Sequence, residues 1–375
     1  MVEINKKRVL EEFLELVQID SETKDEGNIA KVLTKKFEDL GLEVLEDDAE
    51  SVTEHGAGNL ICSLKGSKEG VDTIYFTSHM DTVVPGKGVK PSVKDGYVVT
   101  DGTTILGADD KAGIAAILEA IRTLKEQKIE HGDLQFVITV GEESGLVGAK
   151  ALDRKNLTAK YGYAIDSDGK VGNIIVAAPT QAKIKAIVKG KTAHAGVAPE
   201  KGISAITLAS KAIAKMPLGR IDKETTANIG RFEGGQQTNI VCDQVEIIAE
   251  ARSLVTEKME AQVEKMKEAF TETAEEMGGE VELDIQVMYP GFKHQAGDQV
   301  VEVARNAAGK IGRDSELLTS GGGSDANIIA GFGIPTVNLA VGYEEIHTTN
   351  ERMPIEELEK AAELVTSIIE EAANQ

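Results

Sequence analysis

Short apolar segments alternate with helical segments over much of this 375-residue chain. The segments 59–64 (NLICSL), 73–77 (TIYFT) and 134–140 (LQFVITV) are apolar runs bounded by turn residues, as is typical of strands in a buried sheet. Apolar residues at helical spacing predict helices beside them, among them 111–127. Because strands that alternate with helices form largely parallel sheets, the pattern predicts an α/β fold with a mostly parallel mixed sheet flanked by helices.

The order of predicted strands and helices changes in the middle of the chain. There the predicted order is β-α-β-β-α-β: strand 182–188, helix 203–215, strands 226–232 and 244–253, helix 256–277 and strand 280–287. This order is the split βαβ arrangement of a ferredoxin-like α+β domain. We therefore predict a metal-binding catalytic domain formed by residues 1–179 and 289–375, interrupted by an inserted domain at 180–288.

The charge of the chain excludes several classes of partner. It carries 41 Lys and Arg against 63 Asp and Glu, a formal net charge of −22, which repels nucleic acid and acidic membrane surfaces. No segment approaches the roughly 18 apolar residues that a membrane-spanning helix needs. Glu11, Glu12 and Glu15 stand where a secretory signal would have its apolar core, and two cysteines make no disulfide scaffold. We expect a cytoplasmic protein.

Histidine and acidic residues occur at the ends of the predicted elements in five segments. Three segments follow strands directly, one opens the helix at 111–127, and one follows strand 335–339 after a short loop. Because the carboxyl ends of parallel strands face a common crevice, we expect these distant side chains to converge. The segments are 79–82 (HMDT), 107–111 (GADDK), 141–144 (GEES), 164–169 (AIDSDG) and 345–348 (EIHT).

The residue types in these segments suit a metal centre. His79 and Asp81 lie on the same side of an extended backbone, and a carboxylate commonly orients a histidine that binds metal. We therefore expect Asp81 to orient His79 rather than to bind metal itself. Glu142 and Glu143 are adjacent and point in different directions, so one can bind metal while the other acts as a base. Histidines and carboxylates without cysteine suit Zn²⁺, Co²⁺ or Mn²⁺.

Each of these residues, taken alone, has a structural alternative. A single acidic residue at the end of a strand is usually a cap or part of a solvated turn. Asp109 or Asp110 would also be favourable at the positive amino end of the following helix. His347 alone would suit a surface loop. The joint occurrence of these residues at the ends of strands favours a shared site over the separate alternatives.

In their order and in their residues, the segments resemble the motifs of the cocatalytic zinc exopeptidase family that includes peptidase T, glutamate carboxypeptidases, acylases and acetylornithine deacetylase. The resemblance covers nearly the whole chain, agrees with the predicted inserted domain, and points to the peptidase T-like, or tripeptidase, branch. The matching stretches are SHMDTV, ILGADDKAG, VGEESGLVGAK, AIDSDG, KTAHAGVAPEKG, QTNIV with EARS, SGGGSDAN and EEIHTTNE.

The resemblance implies two divalent metal ions per subunit, with zinc preferred and cobalt or manganese as alternatives. The family's ligands are carried over residue by residue onto the matching segments. His79 and Asp166 would hold one ion, Glu143 and His347 the other, and Asp109 would bridge the two.

Three acidic residues next to these ligands acquire further implied roles. Glu142 would act as general base: it would take the proton of the water bound by the metal ions and pass it to the leaving amine. Asp110 would follow Asp109 through a peptide bond that is often cis in the family. Asp168 remains an alternative ligand to Asp166, because AIDSDG offers two candidates where the family motif offers one.

The inserted domain also carries function by resemblance. His194 would approach the oxyanion from the partner subunit of a homodimer formed through this domain, whereas a lid that closes on a single chain is the alternative. Asn239 and Arg252 would bind the substrate's carboxylate, for which a guanidinium suits bidentate pairing. Gly322, inside the glycine run 321–323, would let a peptide backbone approach closely. A turn histidine, a strand-end amide and a sheet-face arginine are the structural alternatives.

These inferences lead to an expected function. We expect a two-metal aminopeptidase that acts on short peptides and releases the N-terminal residue of tripeptides. An N-acyl amino acid deacylase or a carboxypeptidase-type amidohydrolase with the same site is the alternative, because members of such a family share machinery and differ in the substrate pocket. A non-catalytic protein that keeps the fold is a third hypothesis, disfavoured because every expected ligand and base position is filled.

Overall fold

The computed structural model describes residues 3–375, which form two compact units. Unit 2 contains residues 178–292 together with 321–323, and unit 1 contains the remaining described residues. The main boundaries lie within four residues of the predicted ones at 180 and 288.

The glycine run 321–323 belongs to unit 2. Arg252 Nη1 donates a hydrogen bond of 3.0 Å to the backbone oxygen of Gly321. Gly323 lies against the ring of Tyr289, where an added Cβ would come within 2.4 Å of ring carbons. Only glycine allows the backbone to approach the ring this closely.

The elements are numbered along the chain. The strands are β1 (Glu43–Glu46), β2 (Leu60–Leu64), β3 (Ile74–His79), β4 (Ser92–Lys94), β5 (Tyr97–Val99), β6 (Leu134–Thr139), β7 (Tyr161–Ser167), β8 (Ile174–Ala178), β9 (Thr180–Lys189), β10 (Gly219–Arg220), β11 (Thr225–Gly234), β12 (Gln244–Ser253), β13 (Glu280–Tyr289), β14 (Phe292–Lys293), β15 (Leu317–Thr319), β16 (Thr336–Ala340) and β17 (Arg352–Pro354). The helices are α1 (Lys6–Val17), α2 (Gly27–Asp39), α3 (Glu50–Thr53), α4 (Ala108–Gln127), α5 (Val147–Ala151), α6 (Ala205–Lys215), α7 (Thr256–Met277), α8 (Gln299–Lys310), α9 (Asp325–Gly331) and α10 (Ile355–Ala372). Within residues 3–375, none of these helices combines the length and apolar character that crossing a membrane requires.

The large sheet of unit 1 has the order β1-β2-β6-β3-β7-β16-β8. Its central strands β6, β3, β7 and β16 are parallel, whereas β1 pairs antiparallel with β2, β2 with β6, and β8 with β16; β15 pairs with β8 in parallel. The central strands are buried and apolar, and the rings of Phe76 and Phe136 stack 5.8 Å apart on adjacent strands. The predicted α/β fold with a mostly parallel mixed sheet is therefore confirmed.

The parallel strands direct four chain segments to the same edge of this sheet. Strand β3 ends at His79, β6 at Thr139, β7 at Ser167 and β16 at Ala340. Four of the five segments with histidine and acidic residues overlap or follow these ends, and the fifth opens α4.

Unit 2 has an antiparallel sheet of order β10-β11-β12-β9-β13, and α6 and α7 pack on its apolar face. Side chains alternate along β9, so that Ala182, Ile184, Ala186 and Val188 enter the core while the residues between them do not. Apart from the two-residue strand β10, which was not predicted, strands and helices follow the predicted β-α-β-β-α-β order, and the ferredoxin-like assignment is confirmed.

Candidate metal centre

The five predicted metal ligands lie close together at the edge of the large sheet in unit 1. Their side chains form two groups whose potential ligand atoms lie within 4.8 Å of one another. One group contains His79, Asp109 and Asp166, and the other contains Asp109, Glu143 and His347.

Asp109 belongs to both groups because its two carboxylate oxygens face different histidines. Oδ1 lies 3.1 Å from His79 Nε2, and Oδ2 lies 3.3 Å from His347 Nε2. The peptide bond between Asp109 and Asp110 is cis, as the resemblance implied. This arrangement gives Asp109 the geometry of a bridging ligand.

The remaining two carboxylates complete one group each. Asp166 Oδ1 lies 3.7 Å from His79 Nε2, and Glu143 Oε1 lies 2.8 Å from His347 Nε2. The hydroxyl of Tyr343 donates to Asp166 Oδ1 at 3.2 Å and so orients this carboxylate. Asp168, the alternative to Asp166, is exposed and lines a separate surface cavity.

Asp81 connects His79 with the loop that carries Glu142 and Glu143. His79 Nδ1 lies 2.9 Å from the backbone oxygen of Asp81 and 3.3 Å from its carboxylate. Because these oxygens accept hydrogen bonds, Nδ1 carries the proton and Nε2 is left to bind a cation. The Asp81 carboxylate also accepts the backbone N–H groups of Glu142 (2.9 Å) and Glu143 (3.3 Å).

The electrostatics of the site reflect an excess of carboxylates around two imidazoles. Burial opposes a charge on His79, but hydrogen bonds with Asp109, Asp166 and Asp81 outweigh it and raise the pKa of His79. Hydrogen bonds with Asp109 and Glu143 raise the pKa of His347 to about 10. In the absence of a cation, the surrounding carboxylates therefore favour protonation of both imidazoles.

The residues present fit two divalent cations. The donor set consists of two imidazole nitrogens and three carboxylates, with one carboxylate shared, and it contains no thiolate. Such nitrogen and oxygen ligands suit Zn²⁺, Co²⁺ or Mn²⁺. Cations would also take over the charge compensation that protonated histidines otherwise provide, since ligands must lose their protons to bind metal.

Glu142 lies next to these ligands. Its carboxylate falls within 4.8 Å of ligand atoms of His79 and Glu143. Burial, and then the neighbouring Asp166 carboxylate, raise the pKa of Glu142 well above its ordinary value. A carboxyl group in this position can accept a proton and return it.

The substrate-binding residues predicted in unit 2 fall into two local pairs. The exposed His194 lies beside the chain segment of Asn239, whose backbone oxygen accepts a hydrogen bond of 2.9 Å from Ala195 N. Arg252 is half-buried, forms a bidentate pair with Glu250 (2.9 and 3.0 Å), and also reaches the glycine run that contains Gly322.

Three buried carboxylates that the sequence did not single out also contribute to the site. Glu351 accepts backbone N–H groups beside Asp109, and Glu26 accepts the N–H of Gly141 at 3.1 Å. Burial raises the pKa of Asp325, on the first turn of α9, to about 7. Glu351 and Asp325 lie inside segments that carry the family resemblance, which is a signal for them, whereas Glu26 follows no strand and has no such signal.

Comparisons with known proteins agree with this geometry. The chain is similar to the aminopeptidase PepT from Bacillus cereus ATCC 10987 (75% identity, TM-score 0.96, 99% of both chains covered). It is similar to a tripeptidase from Staphylococcus aureus subsp. aureus Mu50 (54% identity, TM-score 0.96, 99% of this chain and 100% of that one). It is also 30% identical over 410 aligned positions to peptidase T of Clostridium botulinum strain 657 / type Ba4, with 98% and 100% of the two chains covered.

The predicted resemblance to the peptidase T-like branch of the zinc exopeptidases is therefore confirmed. The family model described as peptidase family M20/M25/M40 matches residues 75–371, which include all five candidate ligands. The chain belongs to peptidase family M20/M25/M40.

Proposed function

We propose that this chain is a two-metal aminopeptidase that removes the N-terminal residue of short peptides, with tripeptides as preferred substrates. One observation carries the proposal: Asp109 presents one oxygen to His79 (3.1 Å) and the other to His347 (3.3 Å), with Glu142 close by. The similarity to an aminopeptidase and a tripeptidase over almost the whole chain supports this choice of substrate.

Two zinc ions are the proposed cofactor, and cobalt or manganese fits the same donors. His79 and Asp166 would hold one ion, Glu143 and His347 the other, and Asp109 would bridge. Two such ions supply Lewis acidity at the scissile carbonyl and lower the pKa of water.

The protein's own residues supply orientation and proton transfer. The backbone oxygen of Asp81 holds the proton of His79 on Nδ1, and the Asp81 carboxylate accepts the backbone N–H groups of Glu142 and Glu143. Asp81 therefore fixes the position of the ligand His79 relative to the base Glu142. Glu142 takes a proton on its carboxylate from the water that attacks the peptide, and it delivers this proton to the leaving amine.

Unit 2 is the proposed site of substrate recognition and of dimerisation. Arg252 would bind the peptide's carboxylate, and the bidentate pair with Glu250 keeps its guanidinium in one orientation. Asn239 and Gly322 would contact the peptide backbone, and His194 would approach the oxyanion from a partner subunit. Sedimentation at assay concentration tests this last role, because a monomer with full activity would contradict a histidine supplied by a partner.

A cytoplasmic location stays a prediction. Cys62 and Cys242 are free thiols, which is common in proteins of reducing compartments. Cell fractionation with an antibody against the chain would test the location, and recovery with membranes or secreted protein would contradict it.

The activity itself is tested with a matched panel of substrates. Metal-restored protein is incubated with free tripeptides, free dipeptides, N-acetylated tripeptides and N-acetyl amino acids. We expect the highest kcat/KM for free tripeptides and loss of cleavage on acetylation of the amino end. Preference for N-acetylated substrates would contradict the aminopeptidase and establish deacylation by the same site, and release of the C-terminal residue would establish a carboxypeptidase.

A further inference from the structure

The buried side chain of Glu351 holds the chain segment that carries Asp109. Only 2% of Glu351 is exposed. Its Oε2 accepts the backbone N–H groups of Leu106 (2.7 Å) and Gly107 (2.8 Å), and its Oε1 accepts that of Asp109 (3.0 Å). One carboxylate therefore binds three amides that lie more than 240 residues away in the sequence.

These amides belong to a segment whose backbone is not held by regular helical hydrogen bonds. Gly107 has a positive φ of 75°, and Asp109 is extended (φ −81°, ψ 102°) although α4 has nominally begun. The first amides of a helix have no partner within the helix and need an external acceptor. Glu351 supplies that acceptor, and so the position of the Asp109 backbone depends on it.

Glu351 also belongs to the turn that carries His347. His347 has a positive φ of 61°, which is disfavoured for a residue with a side chain. The turn is closed by the Thr348 hydroxyl, which donates to the oxygen of Glu345 at 2.7 Å, and by Glu351 N, which donates to the oxygen of Thr348 at 3.1 Å. Fixing Glu351 against the Asp109 segment thus also fixes His347 against Asp109.

We propose that Glu351 is a positioning residue that sets the Asp109 carboxylate between the two metal positions and holds His347 on its far side. Both Glu351 oxygens accept backbone amides, and among the described residues Glu351 belongs to none of the groups that could hold a metal ion, so we assign it a role in support of Asp109. The inference rests on the metal site of the proposed function, and it concerns metal affinity rather than the choice of substrate.

Metal binding by the full chain tests the proposal without reference to activity. Metal-free wild type and the variants Glu351→Gln and Glu351→Ala are titrated with Zn²⁺ in a calorimeter, and bound zinc is counted after dialysis. We expect the weaker of the two binding events to lose affinity by about 10–100-fold, as is typical when a residue that supports a metal ligand is removed. Glu351→Gln keeps the shape of the side chain but turns an NH₂ group toward backbone donors, so it should show most of the effect.

Gln135 provides a matched control at the opposite end of β6. It is buried, and its Oε1 accepts the backbone N–H groups of Thr158 (2.7 Å) and Ala159 (3.2 Å). Gln135→Ala removes a comparable backbone clamp from unit 1, away from the candidate ligands. We expect it to lower the Tm of the metal-free protein while both zinc affinities stay at the wild-type value.

The outcomes separate the hypotheses. Wild-type zinc affinity and stoichiometry in Glu351→Gln, with or without a lower Tm, would overturn the positioning role. If Glu351→Ala does not fold, the titration of Glu351→Gln decides. If wild type binds two zinc ions, the variant weakens them, and neither cleaves a tripeptide, the positioning role holds and the proposed function fails.

Discussion

The two units place their candidate functional residues in different ways. In unit 1 the candidate ligands come from five segments spread over 268 positions, yet they form two groups that share Asp109, and the ligand atoms of each group lie within 4.8 Å of one another. In unit 2 the candidates stay in two local pairs, and His194 and Asn239 are exposed. Parallel strands bring their carboxyl ends to one edge and so concentrate chemistry there, whereas an antiparallel sheet alternates strand directions and distributes its loops over both edges. The proposed function accordingly places catalysis in unit 1 and selection of the substrate in unit 2.

The largest expected effect belongs to Glu142 in unit 1. Glu142→Gln removes the proposed proton acceptor but keeps the size of the side chain, so kcat should fall by about 10²–10⁴-fold while two metal ions remain bound. Glu143→Gln is the matched neighbour, and it should instead lose metal because Glu143 is a proposed ligand. Stopped assays combined with metal analysis separate the two. Unchanged turnover in Glu142→Gln would contradict the proposed role of Glu142 as the proton acceptor.

A smaller effect is expected for Arg252 in unit 2. Loss of a hydrogen bond to a charged group costs about 1.5–3 kcal/mol, so Arg252→Ala should lower kcat/KM for tripeptides by roughly 10–100-fold. C-terminally amidated tripeptides, which lack the carboxylate, should show little difference between variant and wild type. Arg231→Ala, an exposed arginine of the same sheet paired with Glu233 and Glu246, is the control and should match wild type. An equal loss on both substrates would contradict carboxylate recognition.

The smallest effect concerns Glu26, beneath the loop of Glu142. Burial, and then Asp81, raise the pKa of Glu26 to about 8 from an ordinary value of 4.5. Between these two pH values the folded protein binds more protons than the unfolded chain, so Glu26 lowers stability as pH rises through this range. Glu26→Gln stays neutral and can still accept the N–H of Gly141.

Thermal unfolding of metal-free protein at pH 5 and pH 9 tests this prediction. The Tm of Glu26→Gln should exceed that of wild type by more at pH 9 than at pH 5, by about 2–4 °C for each kcal/mol relieved. Glu50→Gln is the control, because Glu50 also accepts a backbone amide, from Gly56, but is exposed. A gap between Glu26→Gln and wild type that does not change with pH would show that the carboxyl titrates normally.

The agreement between sequence and structure is greatest where a pattern is local. The helices 111–127 and 256–277 and the strand 244–253 occur within three residues of their predicted bounds, because an apolar period is carried by neighbouring residues. The short strands β4 and β17 and the helix α9 were not predicted. Each of the two strands has only three residues and neither forms an apolar run, since β4 is exposed throughout and β17 buries only Met353. Helix α9 begins one residue after the glycine run 321–323, which is typical of a loop.

By itself, the sequence determined the α/β class, the β-α-β-β-α-β order in the middle of the chain and the residue types of the candidate metal centre, because each of these depends on segments only a few residues long. The tertiary structure alone decided that Asp166 rather than Asp168 faces His79, that Asp81 serves His79 and the Glu142 loop together, and that Glu351 clamps the Asp109 segment. These choices depend on which backbone amide lies opposite which carboxylate. The pairing of amides with carboxylates is set by the strand order and by the direction in which each loop leaves the sheet. No local sequence pattern encodes the strand order or the loop direction.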